Sequence, residues 1–203
     1  MTNLIRLCSA LLACVLLIGC EPAKEPQWAP EAEVTRAIYR DDGPSSITLI
    51  TVIDNFRGSG AHAALLINAS QRVIFDPAGT WYHPRLPERN DVHFGMTDNA
   101  VEFYIDYHAR IQYRVILQEV KVSPQVAELV MQRAMAYGSV PSAQCTKAVT
   151  SVLRDVPEFE SLPSTWFPKR LSEAFANLPG VTTRVVYDND PSDNSGFITA
   201  YGI

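Results

Sequence analysis

The sequence predicts a single α+β domain, in which strands come early in the chain and helices come late. Runs rich in β-branched and aliphatic residues alternate with turn signals between residues 46 and 122. After them, apolar residues recur at helical spacing between proline and glycine stops. The 203 residues leave room for one domain, and 47% hydrophobic residues are enough to fill its core. We therefore expect a small antiparallel sheet packed against helices.

The first twenty residues have the pattern of a bacterial lipoprotein signal peptide. The positive charge of Arg6 precedes the apolar run Leu7–Ile18, which is too short to span a bilayer as a mature helix. The run leads into Leu17-Ile18-Gly19-Cys20, which resembles a lipobox, in which the cysteine is acylated. Cys20 is thus expected to anchor the protein, and Glu21 after it favours the outer membrane, facing the periplasm. The alternative is an ordinary signal peptide with an incidental cysteine.

A charged segment with several prolines separates this signal from the predicted domain. Residues 21–45 suit a tether that lifts the folded part off the membrane, so we place the domain over residues 46–203. Residues 80–99 mix prolines, charges and aromatics without a period, which predicts a long surface loop that could line a cleft. The predicted strands before the helices are Ile47–Ile53, Ala61–Ile67, Arg72–Phe75, Val101–Tyr107 and Tyr113–Val122.

Three helices and a final strand complete the expected domain. The first helix has a serine N-cap followed by proline at Ser123-Pro124, and a glycine stop at Gly138. Cys145 lies in the first turn of the second helix. The second helix is predicted to begin within residues 142–145 and to run to Val156, the third follows Pro168, and the last strand is Val181–Tyr187.

Charge and residue spacing argue against several classes of function. The formal net charge of -5 provides no sequence-wide positive field for a phosphate backbone, which disfavours nucleic-acid binding. His83, His93 and His108 share no helical i, i+4 spacing and make no recognisable zinc pattern, so we expect surface or loop residues. The oxygen-rich stretch 188–194 lacks the features of an EF-hand loop and predicts a solvated turn. We expect no metal and no cofactor.

Export would leave one thiol in the mature chain. Cys8 and Cys14 leave with the signal peptide and Cys20 is consumed by lipid, so that Cys145 remains and no disulfide can form. A helix N-terminus favours a thiolate over the neutral thiol, and an imidazole partner strengthens the effect. The alternative is a buried cysteine that acts as a small hydrophobe.

A strand histidine and a carboxylate are the candidate partners of this thiol. His62 begins the strand Ala61–Ile67, and a short hairpin loop would place Asp76 across from it on the same face. A carboxylate there could orient the imidazole. The alternatives are that His62 is a satisfied core histidine and that Asp76, which precedes Pro77, only initiates a turn.

Together these segments resemble the circularly permuted papain-like proteins of the NlpC/P60 superfamily, in particular the YaeF/YiiX amidase-like group. In that group the histidine strand precedes the cysteine helix, the reverse of the papain order. The residues that carry the resemblance are Ala61–Ile67, Val73–Asp76, Gln144–Val149, and Thr165-Trp166-Phe167-Pro168 with Leu171.

The resemblance implies the roles of the three side chains. Cys145 would be the nucleophile, His62 the general base and acid, and Asp76 the orienting residue, with the backbone N–H of Cys145 in an oxyanion hole. It implies a cysteine amidase or peptidase that acts through an acyl-enzyme, and the membrane tether favours peptidoglycan peptides as substrates. The rivals are a thiol acyltransferase or lipid hydrolase of the lecithin:retinol acyltransferase-like branch, and a non-catalytic lipoprotein that binds the envelope.

Overall fold

A seven-stranded antiparallel sheet forms the centre of the structure, a computed structural model that describes residues 27–194. The strands lie in the order β4-β5-β3-β2-β1-β6-β7. They are β1 (Ser46–Asp54), β2 (Gly60–Asn68), β3 (Arg72–Phe75), β4 (Glu88–Arg89), β5 (Val92–His93), β6 (Tyr113–Lys121) and β7 (Thr182–Val186). The expected signal peptide and the expected lipidation at Cys20 lie outside residues 27–194.

Helices cover both faces of the sheet. They are α1 (Glu31–Ala37), α2 (Asp98–His108), α3 (Pro124–Tyr137), α4 (Cys145–Leu153) and α5 (Pro168–Phe175), with a 3-10 turn at Pro157–Phe159. None of these helices is long and apolar enough to cross a membrane. The architecture of the described chain is therefore α+β with an antiparallel sheet, as predicted.

Alternating side chains of the sheet feed two separate cores. On one face the strand residues Leu49 and Leu65 pack with α1, α3, α4 and α5. On the other face Ile50 and Ala64 pack with α2 and with the segment that follows β3. The two-residue period of a strand explains this division, because neighbouring side chains point to opposite faces.

The cap signals in the sequence place α3 correctly. The Ser123 hydroxyl accepts a hydrogen bond from the Val126 N–H at 3.3 Å, and Gly138 ends the helix with a φ of 90° that favours glycine. The predicted strands at β1, β2, β3, β6 and β7 and the predicted helices at α4 and α5 are likewise confirmed.

The predicted strand Val101–Tyr107 is wrong, because the segment lies in α2. The Thr97 hydroxyl accepts from the Ala100 N–H at 3.2 Å and caps the helix. The side chains that this helix buries recur at helical spacing, and Ala100 and Tyr104 are among them. Burial of this face outweighs the low helix propensity of its β-branched and aromatic residues.

The predicted surface loop at residues 80–99 is wrong in part, since most of the segment is irregular and residues 82–88 line a groove, but the segment is not confined to the surface. The segment contains β4 and β5, which extend the sheet beyond β3. Trp81, Phe94 and Met96 are buried, and Trp81 and Met96 belong to the core that faces α2. Most of the prolines and charged residues that indicated a loop lie between Trp81 and Phe94. These two aromatic side chains are buried in the cores.

Part of the expected tether is folded. Within residues 21–45, helix α1 buries Val34 in the core shared with α3, α4 and α5. Arg89 fastens the same segment, because its guanidinium donates to the Ala29 carbonyl at 2.7 Å and to the Glu31 carboxylate at 2.9 Å. Any free tether among the described residues is therefore shorter than the sequence predicts.

Val34→Ala tests whether α1 belongs to the folded domain. Removing two buried methyl groups should lower the free energy of unfolding by about 1 to 2 kcal/mol, measured by urea denaturation. Thr35→Ala is the matched control, because Thr35 is also β-branched but is exposed on the same helix. Equal stability of the two variants would contradict the packing of α1.

Candidate active site

His62 lies where the pairing of β1 and β2 is irregular. Val52 pairs with His62 and Ile53 pairs with Gly60, so Ala61 is an extra residue in β2. Such a bulge bends a strand and re-aims the side chain beside it. The His62 side chain is 16% exposed and stacks on His108 of α2 at 6.0 Å between ring centroids. The ring therefore points toward the α2 side of the sheet.

Asp76 follows β3 directly and faces the same side. Its Oδ1 lies 2.5 Å from His62 Nε2, and the Tyr104 hydroxyl of α2 donates to the same oxygen at 2.6 Å. The carboxylate is 1% exposed. The predicted common face is confirmed, but the register differs by two residues, because Leu65 pairs with Phe75 and Asp76 is therefore level with Ala64. The carboxylate reaches the imidazole of His62 diagonally.

A turn holds the Asp76 carboxylate in place. The Asp76 N–H donates to the Asp91 carbonyl at 2.7 Å, and the Ala78 N–H donates to the Asp91 carboxylate at 3.1 Å. A Cβ on Gly79 would lie 1.9 Å from Asp76 Oδ2, so only glycine fits there. Asp91 also accepts from the Val140 N–H at 3.3 Å, which ties this turn to the segment before α4.

Cys145 is the first residue of α4, and no side chain caps this helix. Ala143, two residues earlier, has a φ of 65°, a conformation that costs a non-glycine residue free energy. Cys145 is 6% exposed. Its thiol lies 3.8 Å from the Thr146 hydroxyl, and the His62 side chain and the Ala63 backbone are near enough to lower its pKa by hydrogen bonding. Because Nε2 of His62 binds Asp76, Nδ1 is the ring nitrogen left for the thiol.

The thiol and the imidazole shift each other's pKa. Burial raises the pKa of Cys145, but the hydrogen bond and the charge of His62 outweigh it and lower the pKa below its usual value. Burial lowers the pKa of His62, but the charge and hydrogen bond of Asp76, helped by Cys145, raise it to about 10. Between the two pKa values the pair is a thiolate and an imidazolium.

The buried carboxylate is held in its charged form. Burial raises the pKa of Asp76, but the charge and hydrogen bond of His62 keep it well below the usual range. Burial, followed by the charge of Asp76, raises the pKa of Tyr104 well above its usual value. Tyr104 therefore stays protonated and donates to Asp76 throughout the physiological range.

Of the other three histidines, only His83 lies in a loop as the sequence predicts, whereas His93 belongs to β5 and His108 to α2. His83 and His93 are 1% and 2% exposed, and both rings pack on Trp81. His93 Nε2 lies 4.0 Å from Asp76 Oδ2. His108 lies on α2, half-buried beside His62. Each of the four histidines of the chain therefore contacts Asp76, Trp81 or a residue of α2.

A cleft of about 280 Å³ opens beside His62. Its lining combines polar and aromatic side chains with backbone of the Ala78–Thr80 turn. Other residues in this lining are Tyr107, His108, Arg110, Tyr113 and Asn194. A larger groove of about 660 Å³, between α1 and residues 82–88, includes none of the three candidate residues.

Tyr104 and His108 are site residues that the sequence reasoning missed. They lie four residues apart on one face of α2, next to Asp76 and His62. A strand over Val101–Tyr107 gives no such pairing. Thr97 followed by Asp98 was the available signal, because a threonine N-cap and an acidic first turn favour a helix start.

No protein-family model, curated protein or solved structure matches this chain. Among residues 27–194, no group of three or more His, Cys, Asp or Glu side chains is arranged to hold a metal ion. The oxygens of Asp188 are used within the protein, since Oδ1 accepts from the Asp190 N–H and Oδ2 lies 3.7 Å from Arg110. The contacts of Cys145, His62 and Asp76 are thus the basis for the chemistry considered below.

The thiolate of Cys145 should form at a lower pH than an ordinary thiol. Modification by iodoacetamide, followed as a function of pH, should rise through an inflection below the usual thiol pKa of about 8.5. His62→Ala should move the inflection upward by roughly 1 to 3 pH units, because the cation that stabilises the thiolate is removed while burial remains. Lys147→Ala is the control. It removes a positive charge near Cys145, but the Lys147 Nζ donates to the Ser164 hydroxyl, so the inflection should stay in place. An unshifted inflection in His62→Ala would contradict the thiolate and imidazolium pair.

Tyr104→Phe should destabilise the protein by about 1.5 to 3 kcal/mol at neutral pH, because a buried hydrogen bond to a charged carboxylate is lost. Urea denaturation measures the change. Tyr113→Phe is the control, since no hydrogen bond of its hydroxyl is found in the described part of the chain, and it should change stability little. If both variants were equally stable, Asp76 would not depend on the Tyr104 hydroxyl.

Proposed function

We propose that the protein is a cysteine hydrolase that cleaves amide bonds through an acyl-enzyme. The observation that carries this proposal is the 2.5 Å contact of His62 Nε2 with Asp76 Oδ1, next to a Cys145 thiol whose pKa is lowered by the same imidazole. A nucleophile, a base and a group that orients the base are the parts that covalent acyl transfer needs. The pKa shifts favour the reactive form of the thiol and the protonated form of the imidazole.

The proposed reaction has two halves. The Cys145 thiolate attacks the amide carbonyl carbon and forms a C–S bond, and the oxygen takes the negative charge. When the C–N bond breaks, His62 gives its Nδ1 proton to the leaving amine and becomes neutral. Water then loses a proton to the neutral His62 and its oxygen bonds to the thioester carbonyl carbon. The C–S bond breaks, which releases a carboxylic acid and restores the Cys145 thiolate beside the His62 imidazolium.

The first turn of α4 is suited to the developing oxyanion. The first N–H groups of a helix have no intrahelical partner, and no side chain caps this helix. They lie at the positive end of the helix dipole, next to the sulfur of Cys145. The N–H of Cys145 is the donor that the sequence analysis assigns to this role.

The proposal includes a permuted papain-like fold for this domain. A histidine on β2, an acid after β3 and a cysteine at the start of α4 follow one another in the order expected of a permuted papain-like domain. Buried Leu171 and Pro168, at the start of α5, occupy the Pro-x-x-Leu positions of that resemblance. The antiparallel sheet packed on a cysteine-bearing helix supports the assignment.

Peptides of the cell wall are the proposed substrates. The cleft beside His62 combines polar groups such as Thr80 and Asn194 with apolar ones such as Val52 and Ala61, and a peptide presents both kinds of group. An acylated Cys20 would hold the enzyme at the outer membrane, facing the periplasm, where peptidoglycan is within reach. Turnover of lipid esters would favour the lipid acyltransferase or lipid hydrolase, and a lack of any turnover would favour the envelope-binding lipoprotein.

Hydrolysis of peptidoglycan fragments tests the assignment. Cys145→Ser should abolish release of new amino groups, and Asp76→Asn should lower turnover by roughly 100- to 10,000-fold, because the imidazole loses its orienting charge. The native rate should rise as Cys145 deprotonates and fall as pH passes the His62 pKa of about 10, where the proton for the leaving amine is lost. Unchanged hydrolysis by Cys145→Ser would refute the nucleophile. Circular dichroism of both variants checks that they remain folded.

A further inference from the structure

Three large aromatic side chains stand in solvent beside the candidate active site. Phe56 is 77% exposed, Trp166 is 53% exposed and Phe167 is 66% exposed. Phe56 lies at the tip of the hairpin between β1 and β2, and the other two residues directly precede α5. Exposed apolar side chains that cluster in this way are typical of an interaction surface.

A close backbone contact brings the two segments together. Gly60 at the start of β2 touches α5, since a Cβ there would lie 2.5 Å from the Lys169 backbone nitrogen and 2.7 Å from Pro168 Cβ. The hairpin tip and the residues before α5 are therefore neighbours. Gly60 is also two residues before His62, so this surface borders the candidate site.

Hydrogen bonds fix both segments. Asp54 Oδ1 accepts from the N–H groups of Phe56 and Arg57 at 2.8 and 2.9 Å, which holds the hairpin tip. Lys147, two residues after Cys145, donates to the Ser164 hydroxyl at 2.9 Å, and its Nζ lies 5.8 Å from the centre of the Trp166 ring. The aromatic side chains are thus presented on an ordered scaffold next to the head of α4.

The surface is basic although the chain as a whole is acidic. Arg57, Lys169 and Arg170 are exposed, against one exposed acid on the same helix, Glu173. Asp54 is 5% exposed and occupied by backbone N–H groups. The whole chain carries a net charge of -5. The local positive charge is therefore complementary to an anionic partner.

We propose that these side chains form a rim that docks on an anionic membrane surface. The aromatic rim consists of Phe56, Arg57, Trp166, Phe167, Lys169 and Arg170. Tryptophan and phenylalanine insert their rings at the level of the lipid headgroups, and lysine and arginine attract anionic headgroups. The combination fits a lipid surface. The proposal requires neither an acyl chain on Cys20 nor catalysis by Cys145.

Fluorescence quenching by brominated lipids tests the rim, because the chain has three tryptophans in different environments. Trp166 is in the rim, Trp28 is 65% exposed near α1, and Trp81 is fully buried. The full chain is reconstituted into vesicles of phosphatidylethanolamine and phosphatidylglycerol with brominated acyl chains. We expect quenching relative to unbrominated vesicles, its loss in Trp166→Phe, and its persistence in the matched variant Trp28→Phe.

Charge reversal tests the electrostatic part of the proposal. Arg57→Glu combined with Lys169→Glu should abolish the Trp166-dependent quenching, as should 0.5 M salt. Circular dichroism shows that the double variant is folded, and iodoacetamide labelling of Cys145 should be unchanged in it. Equal quenching in vesicles of phosphatidylcholine alone would overturn the assignment to an anionic surface.

Two results would overturn the rim altogether. One is the absence of quenching in the native chain, and the other is quenching that Trp166→Phe leaves intact. Neither result bears on whether Cys145 is reactive, so the failure of this proposal is distinguishable from the failure of the proposed hydrolase.

Discussion

The buried carboxylate of Asp76 is the constraint on which the rest of the site depends. A charge that is 1% exposed is stable only if other groups compensate for its lost hydration. Here the compensation comes from a cation, His62, and from a hydroxyl donor, Tyr104, on the same oxygen. The cationic imidazole in turn lowers the pKa of Cys145. One buried negative charge thus determines the protonation of the acid, the imidazole and the thiol together.

The acid, the imidazole and the thiol can interact only if elements on opposite faces of the sheet keep their positions relative to one another. Asp76 and Tyr104 lie on the face that α2 covers, whereas α4 packs Ala148 and Val149 into the core on the other face and places Cys145, its first residue, near His62. Asp91 links the two sides, because its carboxylate binds the turn after Asp76 and the Val140 N–H before α4. A single anchoring residue therefore couples the acid to the nucleophile across the sheet.

Local signals were enough to predict the part of the site that is built from neighbouring residues. The hairpin period put His62 and Asp76 on one face, and the position of Cys145 followed from the start of its helix. Tyr104 could not be found in this way, because the β-branched and aromatic composition of residues 101–107 indicates a strand until Thr97 is recognised as a cap. The segment 80–99 failed for a related reason, since Trp81 and Phe94 are buried by contacts with residues far away in the chain.

His62 and His108 show how strongly a neighbour decides the charge of a histidine. Their rings are stacked at 6.0 Å, yet the pKa of His62 is raised to about 10 while burial lowers the pKa of His108 to about 4. Only His62 touches the carboxylate, whereas His108 Nδ1 donates to the Tyr104 carbonyl at 2.8 Å and remains neutral. Near neutral pH the first ring is therefore a proton donor and the second keeps a lone pair on Nε2. Contact with the carboxylate, rather than burial alone, therefore decides which of the two stacked rings carries a charge.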